Sequence, residues 1–138
     1  MNDTDRAVRA AIYECFVDAV DPTAAAVAER VSLPEQAVLD SFANLESEHR
    51  IVLDRPDRVR MAHPFSSVDT GYDAVLPGKT IHANCAWDAF AILALLGDGA
   101  VTKDGEAVWT VDGGSVAPDG IVHFVVPPRD FWADIGFT

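Results

Sequence analysis

The chain has 138 residues, of which 49% are apolar, and it carries a formal net charge of −12 at pH 7. That length suits one compact domain or two small lobes, and the apolar share argues against general disorder. The negative charge disfavours nucleic acid and anionic lipid as partners. No apolar run is long enough to cross a membrane and no secretory signal opens the sequence, so we expect a cytoplasmic protein.

The chain begins with three predicted helices. Apolar residues at helical spacing predict the first helix over about 5–20. A short Ala-rich helix follows a Pro-containing start signal and ends near Val31. Ser32, with Glu35 three residues later, forms a capping-box pattern that predicts the start of the third helix at Ser32.

A hairpin is predicted after the third helix, because two apolar runs at 51–53 and 59–61 flank a polar loop. Three helices followed by a two-stranded wing are typical of a winged-helix-like lobe, which we place at residues 1–62. That lobe holds 12 acidic and 7 basic residues. Phosphate contact would therefore be unfavourable, and we expect a structural lobe or a lid rather than a DNA-binding one.

Residues 63–138 predict a small mixed β-sheet packed on one central helix, so that the whole chain belongs to the α+β class. That helix runs from about Asn84 to Leu96, where Gly97 stops it. The run at 121–126 gives the strongest strand signal in the sequence. The predicted strands are 72–75, 80–82, 100–102, 107–111 and 121–126, and a short final helix is predicted at 129–135.

The start of the central helix carries the residues best suited to chemistry. Asn84 is a good N-cap and places Cys85 in the first turn, where backbone N–H groups and the helix dipole favour an anion. The Cys85 thiol should therefore ionise more easily than a free cysteine. Asp88 shares its face of the helix, so a soft-metal ligand lies beside a proton carrier. The plainer alternative is a small buried cysteine and an Asp that only complements the dipole.

The other candidate ligands form no set with metal-binding spacing. Cys15 lies on the apolar stripe of the first helix and is expected to be buried. His63 and His123 match no ligand pattern. His82 directly precedes the central helix, and we expect it to tune or shield Cys85.

Several motifs, taken in order, resemble those of the organomercurial (alkylmercury) lyase family. The winged-helix-like lobe comes first, and the later matches extend nearly to the end of the chain. Their order and separation make the resemblance fairly specific. The matching segments are Met61-Ala62-His63-Pro64-Phe65-Ser66, Asn84-Cys85-Ala86-Trp87-Asp88-Ala89, Val122-His123-Phe124 and Phe131-Trp132.

The resemblance implies a mercury-detoxification enzyme that cleaves carbon–mercury bonds by protonolysis, giving a hydrocarbon and Hg(II). Cys85 would bind the organomercurial as a thiolate, and Asp88 would take the thiol proton and deliver it to the departing carbon. No cofactor is implied. The implied partners are the organomercurial, low-molecular-weight thiols and a mercuric reductase that accepts the Hg(II). An apolar pocket for the organic group would be formed by Phe65, Trp87, Phe131 and Trp132.

The sequence departs from the family at one position. The family's second cysteine lies just beyond an aromatic segment like the one at 131–138, and this chain supplies none there. The core at 63–138 is then either a shortened form or one with different or no activity. Lyase activity is the favoured interpretation, while a non-catalytic soft-metal or thiol-binding module and an acidic winged-helix regulator that senses thiophilic metals remain open.

Overall fold

The computed structural model describes residues 1–121 and 123–135. The chain divides into two compact units, of which the first is Met1–Asp69 and the second begins at Thr70. The predicted α+β class is confirmed, with the three-helix lobe first and a sheet packed on a helix second. No helix within the described ranges is long and apolar enough to span a membrane.

The first unit contains three helices, α1 (Asp3–Val17), α2 (Ala24–Val31) and α3 (Glu35–Ser47). A capping box starts α1, because the Asn2 side chain accepts from the Asp5 amide at 2.8 Å and Asp5 accepts from the Asn2 amide. The Asp5 carboxylate also accepts from the buried Ser41 hydroxyl at 2.8 Å, which ties α1 to α3. The fully buried core of these helices includes Val8, Ile12, Val27, Val38, Phe42 and Leu45.

The wing of the first unit is a three-stranded antiparallel sheet in the order β1-β2-β3. The predicted hairpin is present as β1 (Val52–Arg55) and β2 (Arg58–Ala62), and β3 (Phe65–Ser66) adds a strand that the sequence did not predict. Because β3 pairs with β2, the first unit continues past residue 62.

The predicted start of α3 was wrong. Ser32 ends α2 in the left-handed conformation (φ 54°), and Pro34 is the residue before the first turn of α3. The Ser32 amide donates to the Ala28 carbonyl, so the backbone uses Ser32 to close a helix. Ser32 and Glu35 fit the N-cap pattern, but Ser32 closes α2, and α3 begins only after Pro34.

The second unit is a five-stranded sheet in the order β5-β4-β6-β7-β8, with every described pairing antiparallel rather than mixed. Helix α4 (Ala86–Leu96) connects β5 to β6 and packs on β4 and β6. A Cβ at Gly99 would lie 2.2 Å from the Val75 carbonyl oxygen, so glycine lets β6 lie against β4. The strands are β4 (Tyr72–Leu76), β5 (Lys79–His82), β6 (Gly99–Lys103), β7 (Glu106–Asp112) and β8 (Ser115–Ala117).

The strongest strand signal in the sequence did not produce a strand. Of the predicted strand at 121–126, residues 121 and 123–126 are irregular, and residue 122 lies outside the described residues. Ile121 and Val125 are 92% and 79% exposed. Apolar periodicity describes the segment alone, whereas a strand also needs a neighbouring edge to pair with. A 3₁₀ helix, Pro128–Ala133, forms close to the predicted final helix.

Candidate functional site

The segment that leads from β5 into α4 is fixed by backbone contacts at Ala83. The Ala83 amide donates to the Tyr72 carbonyl at 2.9 Å, and the Thr70 hydroxyl donates to the Ala83 carbonyl. Ala83 is itself fully buried. The chain therefore leaves the sheet from an anchored point two residues before Cys85.

Cys85 is the N-cap of α4, one position earlier in the helix than predicted. Its backbone is extended (φ −157°, ψ −179°), and its carbonyl accepts from the Ala89 amide at 3.0 Å. The predicted cap, Asn84, lies just outside the helix. At the N-cap, a side chain faces the unpaired N–H groups of the first turn. The Cys85 sulfur makes no cap hydrogen bond of ordinary geometry, but the amides of Asp88 and Trp87 lie close enough to lower its pKa.

The Cys85 thiol and the Asp88 carboxylate lie together at the start of α4, as the sequence spacing predicts. The thiol is half-buried and the carboxylate is 9% exposed, and the two side chains lie close enough for Asp88 to raise the pKa of the thiol. Asn84 supports the carboxylate, because its Nδ2 donates to Asp88 Oδ2 at 3.1 Å. The arrangement places a thiol, a carboxylate and an amide that holds the carboxylate within five consecutive residues.

The expectation of an easily ionised thiol was wrong. Burial raises the pKa of Cys85 above its usual value, and the charge and hydrogen bond of Asp88 raise it further. The backbone amides of Asp88 and Trp87 lower the pKa, but their effect is smaller than that of desolvation. The raised pKa keeps the Cys85 thiol protonated at neutral pH, next to the Asp88 carboxylate.

Aromatic rings form a chain of contacts beginning at Trp87. Trp87 is 54% exposed and meets Phe124 edge-on with ring centroids 6.0 Å apart, and Phe124 meets Phe131 at 5.7 Å. Trp132 neighbours Phe131 in the 3₁₀ helix and is 38% exposed. Sequence reasoning placed Phe124 in a strand and so missed its contact with both rings. Its position between two other aromatic segments was the available signal.

Phe65, the fourth predicted pocket residue, belongs to the core of the first unit. It is 3% exposed, stacks on Phe16 with centroids 5.5 Å apart and contacts Tyr13 edge-on. These contacts account for its apolar character without a ligand.

His82 ends β5 opposite Asp73 of β4. Its Nδ1 lies 2.6 Å from Asp73 Oδ1, and the two residues are cross-strand partners. The carboxylate fixes the orientation of the ring. A tuning effect on Cys85 stays a prediction.

The second cysteine of the chain lies in a different environment. Cys15 is fully buried in α1, as the sequence predicts, and both cysteines are free thiols. Burial raises the pKa of Cys15, while the nearby Arg30 guanidinium lowers it by a smaller amount. Among the described residues, no three His, Cys, Asp or Glu side chains form a metal-binding group.

Comparison with known proteins gives a likeness in fold. No family model and no curated protein matches the sequence. The chain is similar to the crystal structure of the mercury-bound form of MerB2, with a TM-score of 0.64 and 20% sequence identity over 85% of this chain. The chain spans 59% of the length of that protein. At this identity the likeness shows the fold alone.

Proposed function

We propose that this protein is an organomercurial-lyase-like enzyme, with Cys85 as the mercury ligand and Asp88 as the proton carrier. The observation that carries the proposal is the placement of a half-buried thiol at the N-cap of α4 beside the carboxylate of Asp88, which Asn84 holds in position. The fold-level likeness to a MerB protein supports it, since the sequence motifs resemble the organomercurial lyase family. The sulfur suits mercury because soft metals prefer thiolate ligands.

The first step would exchange a proton for a metal. As the organomercurial approaches, the Cys85 S–H bond breaks, the proton passes to the Asp88 carboxylate, and a sulfur–mercury bond forms while the original ligand of mercury leaves. Asp88 lies beside the thiol, so its carboxylate is placed to accept this proton. The raised pKa of Cys85 keeps the proton in place until the metal competes for the sulfur.

The second step would cleave the carbon–mercury bond. The neutral Asp88 carboxyl group delivers its proton to the carbon bound to mercury, the electron pair of the carbon–mercury bond takes up that proton, and a hydrocarbon leaves. The Asn84 amide, which donates to Asp88 Oδ2 at 3.1 Å, holds the carboxyl group in position. Hg(II) then remains on Cys85.

An external thiolate would complete the coordination of the product. Cys85 is the only cysteine after Cys15 in the sequence. A low-molecular-weight thiolate supplies the second sulfur and leaves with the Hg(II), which a mercuric reductase in the cytoplasm would accept. The exposed rings of Trp87 and Trp132 and the half-buried ring of Phe131 are proposed to contact the organic group.

The test is whether the protein converts phenylmercury to benzene in the presence of excess external thiol. The benzene is measured by gas chromatography of the headspace. We expect benzene in amounts that exceed the protein concentration and depend on Cys85. The matched control is Cys15→Ser, which retains the candidate site. Stoichiometric binding of phenylmercury without benzene would refute catalysis and favour the non-catalytic soft-metal module, which the protonated resting thiol also fits.

A further inference from the structure

Helix α4 exposes an unusual amount of apolar surface. Ten of its eleven residues are apolar, so the sequence is that of a helix covered on every side. The sheet buries Ala89, Ile92 and Leu93, and Trp109 of β7 contacts the Phe90 ring. Trp87 and Leu95 remain 54% and 67% exposed. Part of this helix therefore faces open space.

A cleft of about 560 Å³ lies along one exposed side of α4. Trp87, Phe90 and Ala94 recur at helical spacing along one wall, while Val111 of β7 and Val116 of β8 contribute to the other. The volume falls within the range of small-molecule sites, and the mixture of apolar walls with a few polar groups is typical of them.

This cleft, the α4–β8 cleft, is distinct from the Cys85–Asp88 pair. Neither residue lines it. Asp88 precedes Phe90 by two residues, which places the two side chains about 160° apart around the helix axis at 3.6 residues per turn. Most of the cleft therefore lies on a different side of α4 from Asp88, and Trp87 is the one lining residue that it shares with the proposed organomercurial pocket.

The polar groups of the cleft are negative. Asp98 and Asp119 line it, and no Lys, Arg or His is among the described lining residues. The Asp98 carboxylate is held in place because its Oδ2 accepts from the Gly113 amide at 3.0 Å. A carboxylate can accept several hydrogen bonds, so this contact leaves it able to meet a ligand. The Trp87 and Phe90 rings add the type of surface that attracts cations.

From these features we infer that the α4–β8 cleft binds a small organic cation, an ammonium group carried on an aryl or alkyl body. The apolar walls take the body, and the rings and the two carboxylates take the charge. The net charge of −12 attracts such a ligand from solution. An anion of the same shape would be repelled.

The first experiment compares benzyltrimethylammonium with its neutral isostere, neopentylbenzene, by calorimetry. We expect the cation to bind at least about tenfold more tightly, since cation–π contacts and exposed ion pairs each contribute modestly. Equal affinity of the two probes, or no saturable binding of the cation, would overturn the inference.

Variants locate the binding. Ala94→Phe fills the cleft and should abolish binding, whereas Leu95→Phe adds the same ring on another exposed part of α4 and should not. The double variant Asp98→Asn/Asp119→Asn should lose about fivefold in affinity for the cation. Its control, Asp104→Asn/Glu106→Gln, removes the same charge from the β6–β7 turn and should lose less. If the two double variants lose equally, only net charge matters and the site is refuted.

Two further experiments test whether the cation binds at the Cys85 site instead and whether a second copy of the chain occupies the cleft. Cys85→Ser should leave cation binding unchanged, so the result is independent of the proposed lyase activity. Gel filtration of the unmodified chain and of Ala94→Phe tests whether a second copy occupies the cleft. A dimer that Ala94→Phe converts to monomer would overturn the inference.

Discussion

Cys15 and Cys85 show how position on a helix decides what a thiol can do. Cys15 lies in the middle of α1, fully buried, with its neighbouring turns already hydrogen-bonded. Cys85 is the N-cap of α4, is half-buried, and lies beside the carboxylate of Asp88 three residues on. Burial raises the pKa of both thiols. Access and a proton acceptor, rather than acidity, distinguish the candidate ligand from the core residue.

The largest expected effect comes from removing each sulfur in turn. Cys85→Ser should abolish saturable binding of phenylmercury, because an oxygen ligand is a poor substitute for sulfur on a soft metal. Serine is a good N-cap, so α4 should remain folded. Cys15→Ser should bind as the unmodified chain does. Binding of phenylmercury is measured by calorimetry, and circular dichroism is the folding control. Equal binding by Cys85→Ser and Cys15→Ser would contradict the different roles assigned to the two thiols.

Asp88 gives the next largest effect. In Asp88→Ala, binding of phenylmercury should persist while the rate of benzene release falls by about 10²–10⁴-fold, the usual contribution of a positioned general acid. Single-turnover measurements separate the two steps. A matched variant is Asp73→Ala, whose carboxylate pairs with His82 rather than with the thiol. Unchanged benzene release in Asp88→Ala would disprove the proton-carrier role.

A smaller effect is expected on thiol reactivity. Asp88 raises the pKa of Cys85 through its charge and its hydrogen bond, so Asp88→Asn should lower that pKa and increase the thiolate fraction at pH 8. Alkylation of Cys85 by iodoacetamide should then be several-fold faster, although carbon–mercury cleavage is lost. The pH profile of alkylation is the measurement, with mass spectrometry to assign the site. A slower reaction in Asp88→Asn would contradict the coupling.

The smallest effect concerns stability at high pH. The folded-state pKa of Cys15 is raised, so its contribution is complete below the unfolded thiol pKa of about 8.5 and is lost as the pH rises through the folded value. Cys15→Ala should cost about 1–2 kcal/mol at pH 7 through lost packing. It should also flatten the decline in unfolding free energy above pH 8.5. Urea titrations at pH 7 and pH 9.5 measure both quantities.

The parts of the fold with strong periodicity were predictable from sequence. The apolar spacing of α1 and the Gly97 stop of α4 follow from local chemistry, and Gly97 ends that helix in the structure. Ser32 was less predictable, because the same residue type serves at helix starts and in left-handed helix ends. The segment around Val125 was not predictable, since pairing depends on a distant strand edge.

At the candidate site, the spacing of Cys85 and Asp88 correctly predicted their proximity, but the sign of the pKa shift was wrong. The backbone N–H groups at the start of α4 lower the pKa of Cys85, but its desolvation has a larger effect and the charge of Asp88 raises the pKa further. Desolvation and the position of the Asp88 charge depend on tertiary burial and on the side-chain conformation, which the sequence does not show. Phe124 was missed for a related reason, because its contact with Trp87 follows from the path of an irregular segment.

The two hydrogen bonds that hold Ala83 limit the movement of the Cys85 thiol two residues further on. Ala83 is held on one side of Cys85, and the Cys85 carbonyl accepts from the Ala89 amide on the other, so the sulfur moves mainly by rotation about its own Cα–Cβ bond. A metal ion that needs many ligands would find only one sulfur ligand here, and that sulfur can move little. A rigid site of this kind therefore favours metal species of low coordination number.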